Sequence, residues 1–311
     1  MTAATNNATL SLGPVQYLWA EDKWRDFYYR IADEAPISHV TIGEIVCSKR
    51  FHFTDVHLPQ VIERLERAGK QVRVGSLALV ALEREIKHTR ALAECSDWIV
   101  EANDISALQA LRGKTHAVGP LINVYNAATA RLLAKHGAES ICVPPELPLS
   151  SIELIASGTP ETSVEVFVFG RMPLAISARC AHARSRGLIK DNCQFVCGDD
   201  PDGLTVKTMS HQPFLTINGV QTLSFTCQAL VTEIVDLTKA GVQRFRLSPQ
   251  DCDMVEVAHV YADVVLGSIS SDEALDRLRN IYPFAPLSNG FIHAEAGATW
   301  IAKTRNARTE E

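Results

Sequence analysis

The feature that most constrains this chain is a rhythm. Apolar segments that alternate every second residue, or run as β-branched stretches, recur along the sequence. Each is followed by a segment whose apolar residues stand three and four apart, the spacing of one helix face. The strand-like segments fall at residues 13–19, 39–44, 71–80, 98–101, 116–124, 140–143, 164–170 and 243–247. The first helix places Trp24, Phe27, Tyr28, Ile31 and Ala32 on one face, with Asp22 as its expected cap. The second carries Leu58, Val61, Ile62 and Leu65 and stops at Gly69. Further helices are expected at 83–95, 105–111, 127–136, 151–156, 224–240 and 251–266. One more, at 272–281, stands outside the repeat. Eight strands alternating with helices are what a parallel (β/α)8 TIM-like barrel requires. An open doubly wound sheet is the competing arrangement.

The rhythm breaks once. Residues 171–222 are rich in Pro, Gly and Asp, and read as an insertion after strand seven. The 311 residues otherwise form one barrel domain, with loose tails expected at 1–10 and 303–311. Apolar residues make up 46% and charged residues 21%, the balance of a soluble globular protein. A net charge of −6 argues against a broad nucleic-acid-binding surface. The first ten residues, MTAATNNATL, lack the basic start and apolar stretch of a secretory signal, and no apolar run suits a membrane span. A cytoplasmic location is expected, where thiols stay reduced.

Against that background the eight cysteines matter. Cys180, Cys193 and Cys197 lie in CAHARSRGLIKDNCQFVC, a C-x12-C-x3-C spacing in a polar, loop-like stretch. Buried structural cysteines prefer apolar strands and helices, so a metal site is the better reading, and it needs a fourth ligand. Cys47 lies three residues past Glu44, at the end of strand two, and Cys180 follows strand seven. All strand C-termini of a barrel open on one face, so Cys47 can meet the 180–197 segment. Zinc favours tight C-x2-C knuckles in small structural folds. The wider spacing and the barrel face favour a [4Fe–4S] cluster on four thiolates, though zinc, or no metal, stays open on spacing alone. Arg179, His182, Arg184, Arg186 and Lys190 can offset the negative charge of such a cluster, or can be a solvated loop surface. Cys95, Cys142, Cys227 and Cys252 read as core thiols, Cys227 within a helix.

Polar residues at expected strand ends are the catalytic candidates: Glu44, Asn123, Asn126, Glu146 and Arg171. On the barrel reading they line the same mouth as the cysteines. Arg171 or Arg50 can grip a substrate carboxylate. Capping and rim ion pairs are the plainer roles for the same side chains. The chain has no H-E-x-x-H motif, no G-x-S-x-G elbow and no phosphate-binding glycine loop of Walker or Rossmann type. It also lacks the C-x3-C-x2-C motif that leaves one iron of a cluster open. Four cysteines would close the cluster, which suits electron transfer or structural support.

Four stretches carry a resemblance. VTIGEIVCSKR around Cys47, NVYNAATA from Asn123, VPPEL around Glu146 and VEVFVFGRMPLAISARC ending at Cys180 resemble the collagenase-like family of unclassified peptidases, number thirty-two. The resemblance runs from Leu12 to about Ala298. It implies a barrel and, for several members, an iron–sulfur cluster. Most members resemble HGALCVSYSGRC after strand seven, with two cysteines. Here Pro173 stands where the first would be, and a cysteine appears early, in GEIVCSKR. That exchange marks a subgroup whose ligands map onto Cys47, Cys180, Cys193 and Cys197. The subgroup implies a UbiU-like heterodimer partner, a UbiT-like lipid-binding protein and prephenate as oxygen donor, in oxygen-independent hydroxylation for ubiquinone biosynthesis. An RNA hydroxylation factor, as among other members, and a non-catalytic scaffold with a structural cluster are the alternatives.

Overall fold

The computed structural model describes residues 8–302. Strand β1 (Thr9–Leu12) is followed by α1 (Glu21–Glu34), and β2 (His39–Ile42) by the short α2 (Phe51–Thr54) and α3 (Leu58–Arg67). Next come β3 (Gln71–Gly75), α4 (Glu83–Glu94), β4 (Ile99–Ala102) and α5 (Ile105–Ala110). Then come β5 (His116–Val118), α6 (Ala127–Lys135), β6 (Ala138–Val143), α7 (Leu149–Gly158) and the long β7 (Ser163–Ile176). After α8 (Ala181–Ser185) the chain forms β8 (Leu204–Lys207), β9 (Pro213–Asn218) and β10 (Gln221–Ala229). It closes with α9 (Ile234–Lys239), β11 (Arg244–Leu247), α10 (Met254–Leu266), α11 (Ser271–Ile281) and β12 (Leu287–Ser288).

Strands β1 to β7 pair in sequence order, and β11 joins β7 back to β1, every pairing in this ring being parallel. The ring is a closed eight-stranded α/β barrel, and the open sheet is excluded. Helix faces seal its outside. In α1, Trp24, Tyr28, Ile31 and Ala32 are buried, and in α3, Val61, Ile62 and Leu65 are. Each large apolar side chain so buried contributes roughly 1.5–3 kcal/mol. The cap of α1 is Ala20, not Asp22. Asp22 lies in the first turn with Glu21, where the helix dipole favours negative charge.

The lumen is ionic. Arg246 makes two contacts with Glu101, at 2.6 and 2.9 Å, and a third with Glu165 at 3.1 Å. Arg73 lies 3.5 Å from Glu165 and 2.7 Å from Glu139. Ser11 and Thr41 donate to Glu165 and Glu101. Alternation along each strand explains this, since Val72 and Val74 face the helices while Arg73 turns inward.

Two expected elements are corrected. The first strand is Thr9–Leu12, and residues 13–19 form a buried crossing over the mouth. Their apolar pattern serves that burial: Val15 N–H donates to the Tyr28 hydroxyl, and the Gln16 carbonyl accepts from Arg50 and Gln221. The expected loose segment 1–10 thus overlaps β1 at Thr9 and Leu10. Residues 1–7 and 303–311 lie outside the described residues. The expected helix at 224–240 is β10 followed by the short α9. Here sheet pairing overrides helical spacing, because β10 is held by β7, β9 and β12.

The insertion is therefore built on a sheet. Strand β7 runs past the barrel as far as Ile176, turning at Gly170 (φ +123°). A Cβ there would meet Ser248 Cβ at 2.8 Å and Gln250 Nε2 at 2.9 Å, so only glycine fits the backbone and the space. The outer part of β7 pairs antiparallel with β10, β10 with β9, and β9 with β8. This small sheet stands over one side of the mouth and carries the segment holding Cys180, Cys193 and Cys197.

Candidate metal centre

Cys47 is placed by the turn after β2. Gly43 takes φ +105° and redirects the chain at the end of the strand. Buried Glu44 then folds its carboxylate back, accepting from the N–H of Val46 at 2.6 Å and of Cys47 at 2.9 Å. Burial pushes the Glu44 pKa up, against the pull of Arg50 and those two amides. Cys47 opens the 3-10 turn Ser48–Arg50. Glu44 thus positions the cysteine loop and is spent on doing so.

The other three cysteines hang from the insertion. Cys180 starts α8, and its sulfur accepts from Ala183 N–H at 3.3 Å. The Cys193–Cys197 loop has an unusual backbone. Cys193 is right-handed, whereas Gln194 (φ +48°) and Phe195 (φ +54°) are left-handed. A right-handed residue followed by a left-handed one forms a nest, in which successive N–H groups turn toward one point, a common anion and iron–sulfur cradle. Asn218, at the end of β9, ties the loop down. Its amide donates to the carbonyls of Cys197 at 3.0 Å and Asp200 at 2.9 Å. The Phe195 ring packs edge-on against Phe53 and His52.

Cys47, Cys180, Cys193 and Cys197 line one narrow cavity. Cys180 and Cys197 are buried, Cys47 and Cys193 half-buried, and all four are free thiols. Burial raises the Cys47 and Cys197 thiols, and Arg50 pulls both the other way. Arg50 lines the same cavity and is 1% exposed. Its Nη1 donates to the Gln16 carbonyl at 3.1 Å and its Nη2 to Asn218 Oδ1 at 2.7 Å. Nη1 stands 4.0 Å from Glu44, and the guanidinium also reaches Cys197. Gly219 (φ +66°) makes room for it: a Cβ there would come within 2.3 Å of Nη2.

Among the described residues, no three His, Cys, Asp or Glu side chains gather closely enough to hold one metal ion. Tetrahedral zinc with Zn–S bonds of about 2.3 Å would need its sulfurs within roughly 4 Å of one another. A cluster spreads four thiolates over four irons and asks for a wider ring. Four free thiols, a buried guanidinium and a right-handed-to-left-handed backbone turn thus share this one small region.

The remaining expected residues are dispersed. His182 is buried and its Nε2 lies 3.0 Å from Asp200, which Arg186 also contacts at 3.1 Å. Lys190 Nζ donates to the Ala178 carbonyl. Arg179 and Arg184 are exposed. Asn126 caps α6 through Thr129 N–H, at 2.9 Å. Asn123 and Glu146 border a separate cleft on the rim, where the Tyr125 hydroxyl donates to Glu146. Arg171 lies within β7, not at its end, because that strand continues outward. It is buried against Asp202 (2.8 Å) and the backbone carbonyl of Phe225, and no longer free to grip a substrate. Arg50 is likewise committed, to the loop and the thiols. Cys142 is a buried core thiol in β6, as expected, and Cys227 is buried too, in β10 rather than a helix, whereas Cys95 at the end of α4 and Cys252 are only half-buried. The Cys227 thiol, beside Arg171, is pushed up to about 12 by burial. Sequence reasoning missed the lumen network, whose signal was a charge flanked on both sides by apolar residues inside a strand: Arg73, Glu101, Glu165 and Arg246.

Among the described residues no helix is long and apolar enough to cross a membrane. The model of peptidase family U32 matches residues 22–302 of the chain. Similar solved structures include N-acetylneuraminate lyase from Fusobacterium nucleatum complexed with pyruvate. That match has 9% identity, covers 88% of this chain and 79% of the lyase, and has a TM-score of 0.46.

Proposed function

The chain belongs to peptidase family U32, and on that premise we propose that it is a UbiV-like iron–sulfur protein of oxygen-independent ubiquinone biosynthesis. Cys47, Cys180, Cys193 and Cys197 would hold a [4Fe–4S] cluster. The observation that carries this reading is their convergence: a loop after β2 and a segment 133 residues further on bring four cysteines to one cavity beside a buried arginine. When bound, the cluster supplies one-electron transfer, since four cysteine ligands leave no iron open to substrate.

The protein's own groups hold and tune the site. Glu44 orients the Cys47 loop, Asn218 fixes the Cys197 loop, and Arg50 compensates negative charge from within the fold. Phe195, with Phe53 and His52, screens one side from water. In this reading a UbiU-like partner, a UbiT-like lipid-binding protein and prephenate as oxygen donor complete the hydroxylating system.

A strain lacking this protein, grown without oxygen, tests the pathway. It should accumulate non-hydroxylated quinone precursors, and the Cys47→Ala variant should fail to restore ubiquinone. Normal ubiquinone in that strain would refute the reading. Hydroxylation missing from ribosomal or transfer RNA instead would shift the protein to the RNA-modifying members. Cys47→Ala protein that stays folded and partner-bound but inactive supports a redox role; joint loss of stability and partner binding points to a scaffold.

A further inference from the structure

Cys47 and Cys180 line a second space besides their own cavity. It is an open cleft of about 400 Å³ on the solvent side. Basic residues dominate its wall: Lys49, Arg84, Arg179, Arg184 and Lys190, against Glu85 and Asp191. Two of these cations are committed. Lys49 donates to the carbonyls of Lys190 and Asp191, and Lys190 to that of Ala178. Glu85 is committed too, accepting from Ser48 and from the N–H groups of Ala81 and Leu82. Arg84, Arg179 and Arg184 are exposed, and their guanidinium groups make no hydrogen bond or ion pair among the described residues. In a chain of net charge −6, this is an island of opposite sign.

We propose that this cleft docks an acidic electron-carrier protein at the edge of the iron–sulfur site. The inference rests on the cluster reading above and deepens it. Leu82, 44% exposed, and Ile189, 62% exposed, stand on the same wall. Exposed apolar contacts beside exposed guanidinium groups suit a protein surface better than a small anion, which needs a built pocket. A patch this small suits the brief encounters of electron-transfer partners. Cys47 and Cys180 are part of the cleft's own lining, so a docked carrier stands next to two of the proposed ligands. The reduced carrier gives up one electron and becomes oxidised by one. That electron would pass to the oxidised cluster held by the four cysteines, with no atom or proton changing hands.

The test uses flavodoxin as the acidic probe and the full chain, prepared with and without iron. Its affinity is measured at low and high salt for the wild type and for a triple variant, Arg84→Glu, Arg179→Glu and Arg184→Glu. Binding should weaken about tenfold or more in the variant, and salt should weaken only the wild type strongly. On iron-loaded protein, reduction by flavodoxin hydroquinone should slow in parallel, while reduction by one-electron-reduced methyl viologen, a small cation, should not. Equal affinity in both proteins, or equal slowing with the dye, overturns the docking surface. Colourless protein refutes the cluster, whereas the salt-dependent affinity of the iron-free chain judges the surface by itself.

Discussion

Replacing Arg50 by methionine should separate its duty to the fold from its proposed duty to the cluster. The substitution keeps the length of the stem and deletes the charge. Glu44, 5% exposed, then loses its nearest cation at 4.0 Å, and Asn218 Oδ1 loses its donor. The Gln16 carbonyl stays satisfied, since Gln221 also donates to it at 2.7 Å. Breaking a buried pair by removing one partner costs about 3–5 kcal/mol. Glu44 keeps two amide donors and the pair is long, so the low end, about 3 kcal/mol, applies here. Unfolding entropy scales as roughly 2.1 cal/mol/K per residue, about 0.65 kcal/mol/K for a chain of this length, so Tm should fall by about 5 °C. In the loaded protein, loss of a charge-assisted contact worth about 1.5–3 kcal/mol lowers a one-electron potential by roughly 65–130 mV. The assays are thermal unfolding of iron-free protein and a redox titration followed by electron paramagnetic resonance. Arg50→Lys should recover most of the potential, because it keeps the charge. An unchanged potential in Arg50→Met would show that the guanidinium does not face the cluster.

Other positions give separate checks. Gly219→Ala forces a Cβ against Arg50 at a left-handed backbone position, so it should cost about 1–3 kcal/mol and speed cluster loss, read as decay of visible absorbance. Asn126→Ala removes only a helix cap: unfolding should show a cost of about 1 kcal/mol with iron content unchanged, and lost iron would bring Asn126 back into the site. His39, the buried first residue of β2, is pushed down to about 4 by burial, with Arg244 and Arg73 adding to the effect. The unfolded chain therefore binds its proton first. Stability from this group is complete above its ordinary value near 6.5 and drains away as pH falls toward 4. Denaturant midpoints of His39→Asn should show a shallower decline across that window, and parallel curves would contradict the assignment.

The barrel was legible because its signal is local. β-Branched runs such as 164–170, and helix faces such as Val61, Ile62 and Leu65, carry their period in the sequence. The convergence of Cys47 on the 180–197 segment was also legible, because a parallel barrel obliges its strand ends to share a face. What escaped depends on partners far away in the chain. Residues 13–19 look like a strand because they are buried under the insertion. Residues 224–229 have helical spacing yet pair as β10, since β7 runs on and offers an edge. Arg171 looked like a strand-end residue for the same reason. Arg50 read as a substrate clamp because nothing beside it announces Asn218 or Gly219, both some 170 residues away.

The most direct measurement is the metal itself. Purified without oxygen, the chain should carry four irons and four sulfides, with a broad visible absorbance that dithionite bleaches. Each cysteine-to-alanine change at 47, 180, 193 or 197 should abolish or destabilise that signal, while Cys142→Ala and Cys227→Ala leave it. A colourless chain holding one zinc ion, or iron that survives the loss of all four cysteines, would contradict the account.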